Sequence, residues 1–498
     1  MTPVATIRGM CLEARSRLMV QRKAEQPVRA CSHRRHIHQL LAAACFVGTV
    51  ASTTTASAQA QPPQPLTIVQ AIERARANYP SLKEQRARAA AAAESVGVAK
   101  TAYLPRLDLM WQTNRATRNN VFGLLLPQAI IPPISGPVLG TTSYDSVWGS
   151  AGGVLLSWQA VDFGLRRANV AVARAQSSQT AAQSALTELD VAAAAADAFL
   201  SVLASDEAVR AARANVDRLQ TFADAVRTLV TNQLRPGADQ SRAEAELAVA
   251  RNQLSQAQQN AAIARAALGD ATGSPGASFT PEKGVLAQLP PIPPAAAVAV
   301  DAHPAVRAAS ASVETVQARE RALARTYAPR VDFQSAFSGR GTGADTPGLP
   351  SPGNGLSLEV PNWAVGVTVS FSALDVFAVS ARKRVEAQNE IAERARRDQA
   401  IQTVATQNAR AQALMSAASE IAQNTPAELK AATDAESRAR ARYSSGLANV
   451  TEVAEAARLL TQAEVDDALA RLGVWRAVLA VAQAQGDLTP FLERIRQP

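Results

Sequence analysis

Two hydrophobic periods alternate along this chain, and the places where one gives way to the other divide it into elements. In Arg106–Asn114 the apolar side chains Leu107, Leu109 and Trp111 alternate with Asp108, Gln112 and Asn114. In Arg330–Ser338, Val331, Phe333 and Phe337 oppose Asp332, Gln334 and Ser338. Trp363, Val365, Val367, Val369 and Phe371 share one side of a third segment, with Ala364, Gly366, Thr368 and Ser370 on the other. Trp148, Val154, Leu156 and Trp158 give a fourth its apolar face, blurred by Leu155. A period of two predicts strands with one apolar face. Aromatic ends about nine residues apart suit strands that cross a bilayer at a tilt. All fifteen of these apolar positions are expected to face lipid.

Elsewhere the period lengthens to three and four. Leu165–Val230 contains no proline and no glycine, which predicts a helix of roughly 100 Å at 1.5 Å per residue. Ala378–Tyr443 copies it, interrupted only by Pro426. Each is expected to turn and return, over Asp239–Leu268 and Val450–Gln485. Val216, Leu219, Val226 and Leu229 mark a packing seam. Alanine dominates these stretches and favours helix because it loses no side-chain entropy on ordering.

The chain also repeats itself. Tyr79-Pro80-Ser81-Leu82 recurs as His303-Pro304-Ala305-Val306, and Tyr103-Leu104-Pro105-Arg106-Leu107-Asp108 as Tyr327-Ala328-Pro329-Arg330-Val331-Asp332, both 224 positions on. Ser157-Trp158 pairs with Ser370-Phe371, Asp162 with Asp375, Leu234 with Leu447 and Gly273 with Gly486, now 213 positions apart. The lost residues fall between Trp111 and Ser157, where the first copy has a longer loop. We therefore divide the chain into an N-terminal leader (1–60), a first repeat (61–275), a linker (276–294) and a second repeat (295–498).

Four strands cannot close a membrane barrel, which needs about eight. An open edge in lipid leaves backbone groups unpaired at several kcal/mol each. Several copies must then share one barrel in a closed ring.

Charge and cysteine sharpen the compartment. Of the net +9, the first 60 residues carry +6 and the remaining 438 only +3, which removes the basic surface a nucleic-acid partner would need. Cys11, Cys31 and Cys45 all lie in that leader. The leader reads as an export signal: Arg34-Arg35, the apolar run Leu40–Val50, then small residues Ala56–Ala60. Cys45 is a weaker candidate for acylation. With His303 the one histidine outside the leader, no nucleophile, metal cluster or phosphate loop suggests an enzyme, and no cofactor is expected. Gly339-Arg340-Gly341-Thr342-Gly343 reads as an outer loop, and Val121–Gly140 as an unusually apolar one.

From Pro65 to Gly486 the sequence resembles the TolC family of outer-membrane efflux and secretion channels. The resemblance rests on the duplication, the short-helix signature Leu66–Pro80 and the Tyr-x-Pro-Arg-x-Asp entry into the first strand of each repeat. It also rests on Trp158-x-x-x-Asp162-x-Gly164 after the second strand, and on the turn Tyr443-Ser-Ser-Gly446-Leu447. It implies an α+β membrane protein, a homotrimer in which four strands per protomer build a twelve-stranded barrel in outer-membrane lipid. A long periplasmic coiled-coil barrel continues it. It also implies two partners, a periplasmic adaptor (membrane-fusion) protein and an inner-membrane pump of RND, ABC or MFS type.

The family's pattern of paired acids after the second helical turn falls on Gly446–Ala456, with Glu452 and Glu455 at the acidic places. The resemblance makes these an aperture ring. The residues themselves allow another reading, in which Asn449 caps the helix and the acids favour its positive end. Leu234, Arg235, Gly446 and Leu447, on the two turns, resemble the exposed tips that adaptors grip. The expected function is a passive exit duct for drugs or other toxic small molecules. The alternatives are the same duct in type I protein secretion, or a soluble periplasmic coiled-coil scaffold.

Overall fold

The computed structural model describes residues 64–117, 146–291, 299–343, 355–372 and 374–496, within one contact unit, Ala60–Pro498. The expectations for the signal in residues 1–60, for Cys45 and for the loop Val121–Gly140 lie outside the described residues.

In chain order the elements are β1 (Gln64–Leu66), α1 (Ile68–Asn78), α2 (Pro80–Thr101), β2 (Arg106–Thr117), β3 (Ser146–Val161), α3 (Leu165–Thr231), α4 (Gly237–Ala271) and β4 (Phe279–Pro281). Then come α5 (Pro304–Leu323), β5 (Arg330–Thr342), β6 (Val360–Ser370), α6 (Asp375–Ser444), α7 (Val450–Gln485) and α8 (Thr489–Arg496). The helix starts follow local chemistry. Thr67 and Gln70 form a reciprocal capping box at α1. Pro80 and Pro304 open α2 and α5, where a missing N–H costs nothing.

One departure concerns Pro426. It was expected to interrupt the second long helix, but α6 runs through it without a break for 70 residues. The helix is held from both sides of the proline by α7: Ala422 and Ala432 are buried, and Thr425 Oγ1 lies 3.4 Å from Asp467 Oδ1. Tertiary packing along a helix this long outweighs one lost hydrogen bond.

The repeats close on themselves in the same way. Gly273 and Gly486, both at positive φ, follow the returning helices. A Cβ on Gly273 would meet the Asn78 carbonyl carbon at 2.8 Å, and one on Gly486 would meet Pro304 Cδ at 2.6 Å. Each glycine thus lets the end of its repeat touch the start of the helix that leads to the sheet.

Sheet and helices share one order. The strands run β2–β3–β5–β6, all antiparallel. Directly beside them α2, α3, α5 and α6 are neighbours in the same sequence; further along, α4 takes the place of α2, and α7 that of α5. Both layers therefore begin in repeat one and end on β6 and α6.

The largest core lies where β1, β4, α1 and α8 pack around the middle of α3 and the C-terminal part of α7, with Phe199, Leu203, Trp475 and Phe491 buried. Trp475 donates from Nε1 to Gln288 O at 2.9 Å and stacks edge-on with Phe491. The small β1–β4 sheet was not foreseen in the sequence; it places a strand inside the expected linker. A second core near the turns buries Leu219, Phe222, Val226, Leu247, Val450 and Val453. The expected seam is part of it, since Leu219 and Val226 are buried and Val216 and Leu229 pack against them.

Candidate functional site

The sheet register gathers the apolar positions onto a single face. Leu107 stands opposite Leu156 and Leu109 opposite Val154; Val154 in turn faces Phe337, and Phe337 faces Trp363. Trp158 faces Phe333, Phe333 faces Val367, Val331 faces Val369, Ser335 faces Val365, and Trp148 faces Arg115. Trp111 lies on the same face opposite Gly152, and Phe371 continues the alternation past β6. These side chains are exposed or half-buried, Trp363 as much as 77% exposed.

The opposite face is small and polar: Asp108, Gln112, Asp332, Gln334, Ser338, Ala364 and Gly366. It is also the shielded face: Ala151, Leu155, Gln334, Ala336 and Ser338 are all buried. The sheet therefore covers its polar face, the inner one, and bares its apolar face, the outer one, the reverse of a soluble core. Leu155, which blurred the pattern, lies on the inner face and is fully buried. The glycine-rich Gly339–Thr342 is strand, not loop: it extends β5 and pairs with Gly149–Gly152 of β3, and the missing side chain of Gly341 makes room for the Ser357 carbonyl.

Below the sheet the Trp158–Gly164 motif builds the turn from β3 to α3. Asp162 accepts from the backbone N–H of Gly164 (3.2 Å) and Arg166 and from the Arg166 guanidinium (3.1 Å). Arg166 also donates to Ala102 O and Ala160 O, and its guanidinium lies 4.9 Å from the centre of the Tyr103 ring. Burial pushes the Asp162 carboxyl up, but those hydrogen bonds and the Arg166 charge outweigh it and hold it below its ordinary value.

At the far end the two helical turns meet. Leu234 and Leu447 are 69% and 72% exposed. Gly446 takes a positive φ beside Arg235. Arg235 itself is no free tip, contrary to expectation. It is half-buried, donates from Nη2 to Tyr443 O at 2.8 Å and lies over the Tyr443 ring. Tyr443 stacks edge-on with Phe222, and its hydroxyl is pushed up by burial and by the Asp239 charge, against the pull of Arg235.

Just past this anchor, Asn449 Oδ1 caps α7 by accepting from Glu452 N at 2.9 Å. Glu452 reaches Arg442 at 3.2 Å, and Glu455 pairs with Arg458 at 2.6 Å. The Arg458 hydrogen bond and charge hold the Glu455 carboxyl below its ordinary value. Both acids are exposed. Nothing in the sequence marked Tyr443 as the partner of a residue some 200 positions away.

The model of the family described as "Outer membrane efflux protein" matches residues 71–274 and 297–487. The chain belongs to that family. It is thus an outer-membrane efflux channel of the kind that serves tripartite systems. Solved outer-membrane channels share the fold. MtrE of Neisseria gonorrhoeae, solved in its open state, has 18% identity over 84% of this chain and 89% of its own, with a TM-score of 0.67. CmeC of Campylobacter jejuni has 13% over 86% and 89%, TM-score 0.69. VceC of Vibrio cholerae has 16% over 84% and 96%, TM-score 0.66. No curated protein matches the sequence. Among the described residues no helix is long and apolar enough to cross a membrane.

Proposed function

We propose that three copies of the chain close into one duct, a twelve-stranded barrel in the outer membrane continued by a helical tunnel in the periplasm. Toxic small molecules would leave the cell through it. An inner-membrane pump of RND, ABC or MFS type supplies the energy, and a periplasmic adaptor joins pump to duct. The observation that carries this reading is the shared edge of sheet and helices. Strand order and helix order both stop at β6 and α6, with an apolar outer face and a polar inner one. Lipid admits no unpaired strand edge, so β6 of one copy must meet β2 of the next.

Two surfaces then have distinct tasks. Leu234, Gly446 and Leu447 offer the adaptor an apolar contact at the turns, with Arg235 propping it from behind through Tyr443. Glu452 and Glu455, three residues apart on one helix face, supply carboxylates to the tunnel mouth, where rings of acids favour cations. Their arginine partners reduce that charge within each protomer. In this reading the leader spans 1–60, repeat one 61–275, the linker 276–294 and repeat two 295–498.

The test is a drug and metal susceptibility panel on a deletion strain, beside the same strain with the gene restored. The account expects lowered tolerance that the gene rescues. Unchanged tolerance, with exported proteins missing from the medium, would replace efflux with type I secretion.

A further inference from the structure

The lipid-facing side of the sheet is not uniformly filled. Gly152 of β3 and Gly339 of β5 are register partners on that face. They leave a hollow of about 490 Å³ bordered by Leu109, Trp111, Val154, Phe337, Leu358 and Pro361. That volume falls within the roughly 300–1,000 Å³ of small-molecule sites. The hollow depends on the glycines. A Cβ on Gly152 would meet the Trp111 ring at 2.8 Å, and one on Gly339 would meet Leu358 Cβ at 3.0 Å.

Leu358 comes from residues 355–359, which cross the same face before β6 begins. Ser357 O accepts from Ser150 Oγ at 3.4 Å there. The segment forms a ledge at the end of the sheet away from the helices. Arg115 stands at that end, four residues beyond Trp111 on β2 and so about 13 Å further out. Its Nε donates to Ser146 Oγ at 2.9 Å, and its guanidinium lies 5.6 Å from the centre of the Trp148 ring.

We propose that this hollow holds one acyl chain of a phosphorylated glycolipid of the outer leaflet, with Arg115 at its headgroup. The hollow is continuous with the apolar band, so hydrocarbon is the medium that reaches it. A guanidinium steadied by a hydroxyl and an indole, at the level where the band gives way to polar side chains, suits a phosphate. The floor lies on β3 and β5, the interior strands, so joining copies through β2 and β6 leaves it open to lipid. The inference rests on the assignment of this face to the bilayer.

The experiment is native mass spectrometry of trimers released from nanodiscs containing lipid A and phosphatidylglycerol. Wild-type trimers are expected to retain lipid A, one per hollow, in preference to phosphatidylglycerol. Arg115→Glu, which reverses the headgroup charge, and Leu358→Trp, which fills the hollow, should each lower retention about tenfold with the trimer intact. Equal retention by wild type and both variants, or phosphatidylglycerol held as firmly as lipid A, would overturn the site. Protein that fails to enter nanodiscs at all would overturn the bilayer assignment beneath it.

Discussion

α3 and α6 hold equivalent places in the two repeats and reach nearly the same length, 67 and 70 residues. α3 has neighbours on both sides, α2 and α5 near the sheet, α4 and α7 further along. It leaves no large apolar side chain exposed along its whole length. α6 is covered on one side only, by α5 and α7, and it exposes Val376, Phe377, Val385, Ile391, Leu414 and Ile421. The opposite margin shows the same thing, with Val98 of α2 and Val249 and Ile263 of α4 exposed. Two copies of one sequence plan thus differ because one lies inside the layer and the other at its rim. The exposed apolar rims on the two margins are what a ring of copies would bury.

The largest effect should come from the rim of α6. Ile391→Glu together with Ile421→Glu puts charge where a neighbouring copy packs and is expected to abolish the trimer on native gels. Thr221→Glu, at an exposed position of α3, should leave it intact. Trimers that survive the α6 double change would break the comparison.

A smaller contrast lies at the strand-to-helix turns. Asp162 and Arg166 form a buried ion pair that α3 shares with the preceding turn. In repeat two, Asp375 opens α6 and Val379 stands where Arg166 would be. Arg166→Ala should cost about 3 kcal/mol by stranding a buried carboxylate, whereas Asp375→Asn loses only a helix-end interaction of about 0.5 kcal/mol. Because the folded Asp162 carboxyl sits below its ordinary value, its contribution is present above the unfolded value of about 3.9 and lost as pH falls through the folded one. Thermal melts should therefore show the gap between wild type and Asp162→Asn narrowing below about pH 4. A gap that widens there would contradict the assignment of the charge.

The smallest effect concerns the turns themselves, where repeat one has Arg242 at the place of Glu455. Glu452→Ala with Glu455→Ala should modestly raise single-channel conductance and lower cation selectivity in planar bilayers, the effect kept small because Arg442 and Arg458 already offset both charges. Unchanged conductance and selectivity would make the acids helix-end residues only.

Much of this was legible in the sequence because it is local or periodic. Strand faces follow from a period of two, helices from alanine and the absence of breakers, and the repeat from matching positions such as Tyr103 and Tyr327. The rest depends on residues far apart in the chain. Arg235 could be read as a tip because its partner, Tyr443, lies on the other repeat. β4 could be read as linker because β1, its one partner, is about 200 residues away and both strands span three residues. Pro426 looked like a break because helix propensity is local, while the packing of α7 along α6 on both sides of the proline is not.

The central claim is that the sheet is one third of a shared barrel, and cysteine crosslinking across its open edges tests it most directly. The sequence helps, since its cysteines lie only at positions 11, 31 and 45, ahead of the described residues. Leu107→Cys in β2 would be combined in turn with Val365→Cys, Val367→Cys or Val369→Cys in β6, and oxidised in intact outer membranes. The account predicts that at least one pairing gives a denaturant-resistant ladder ending at three chains. Monomers at every pairing, or a ladder that ends at two or runs past three, would contradict it.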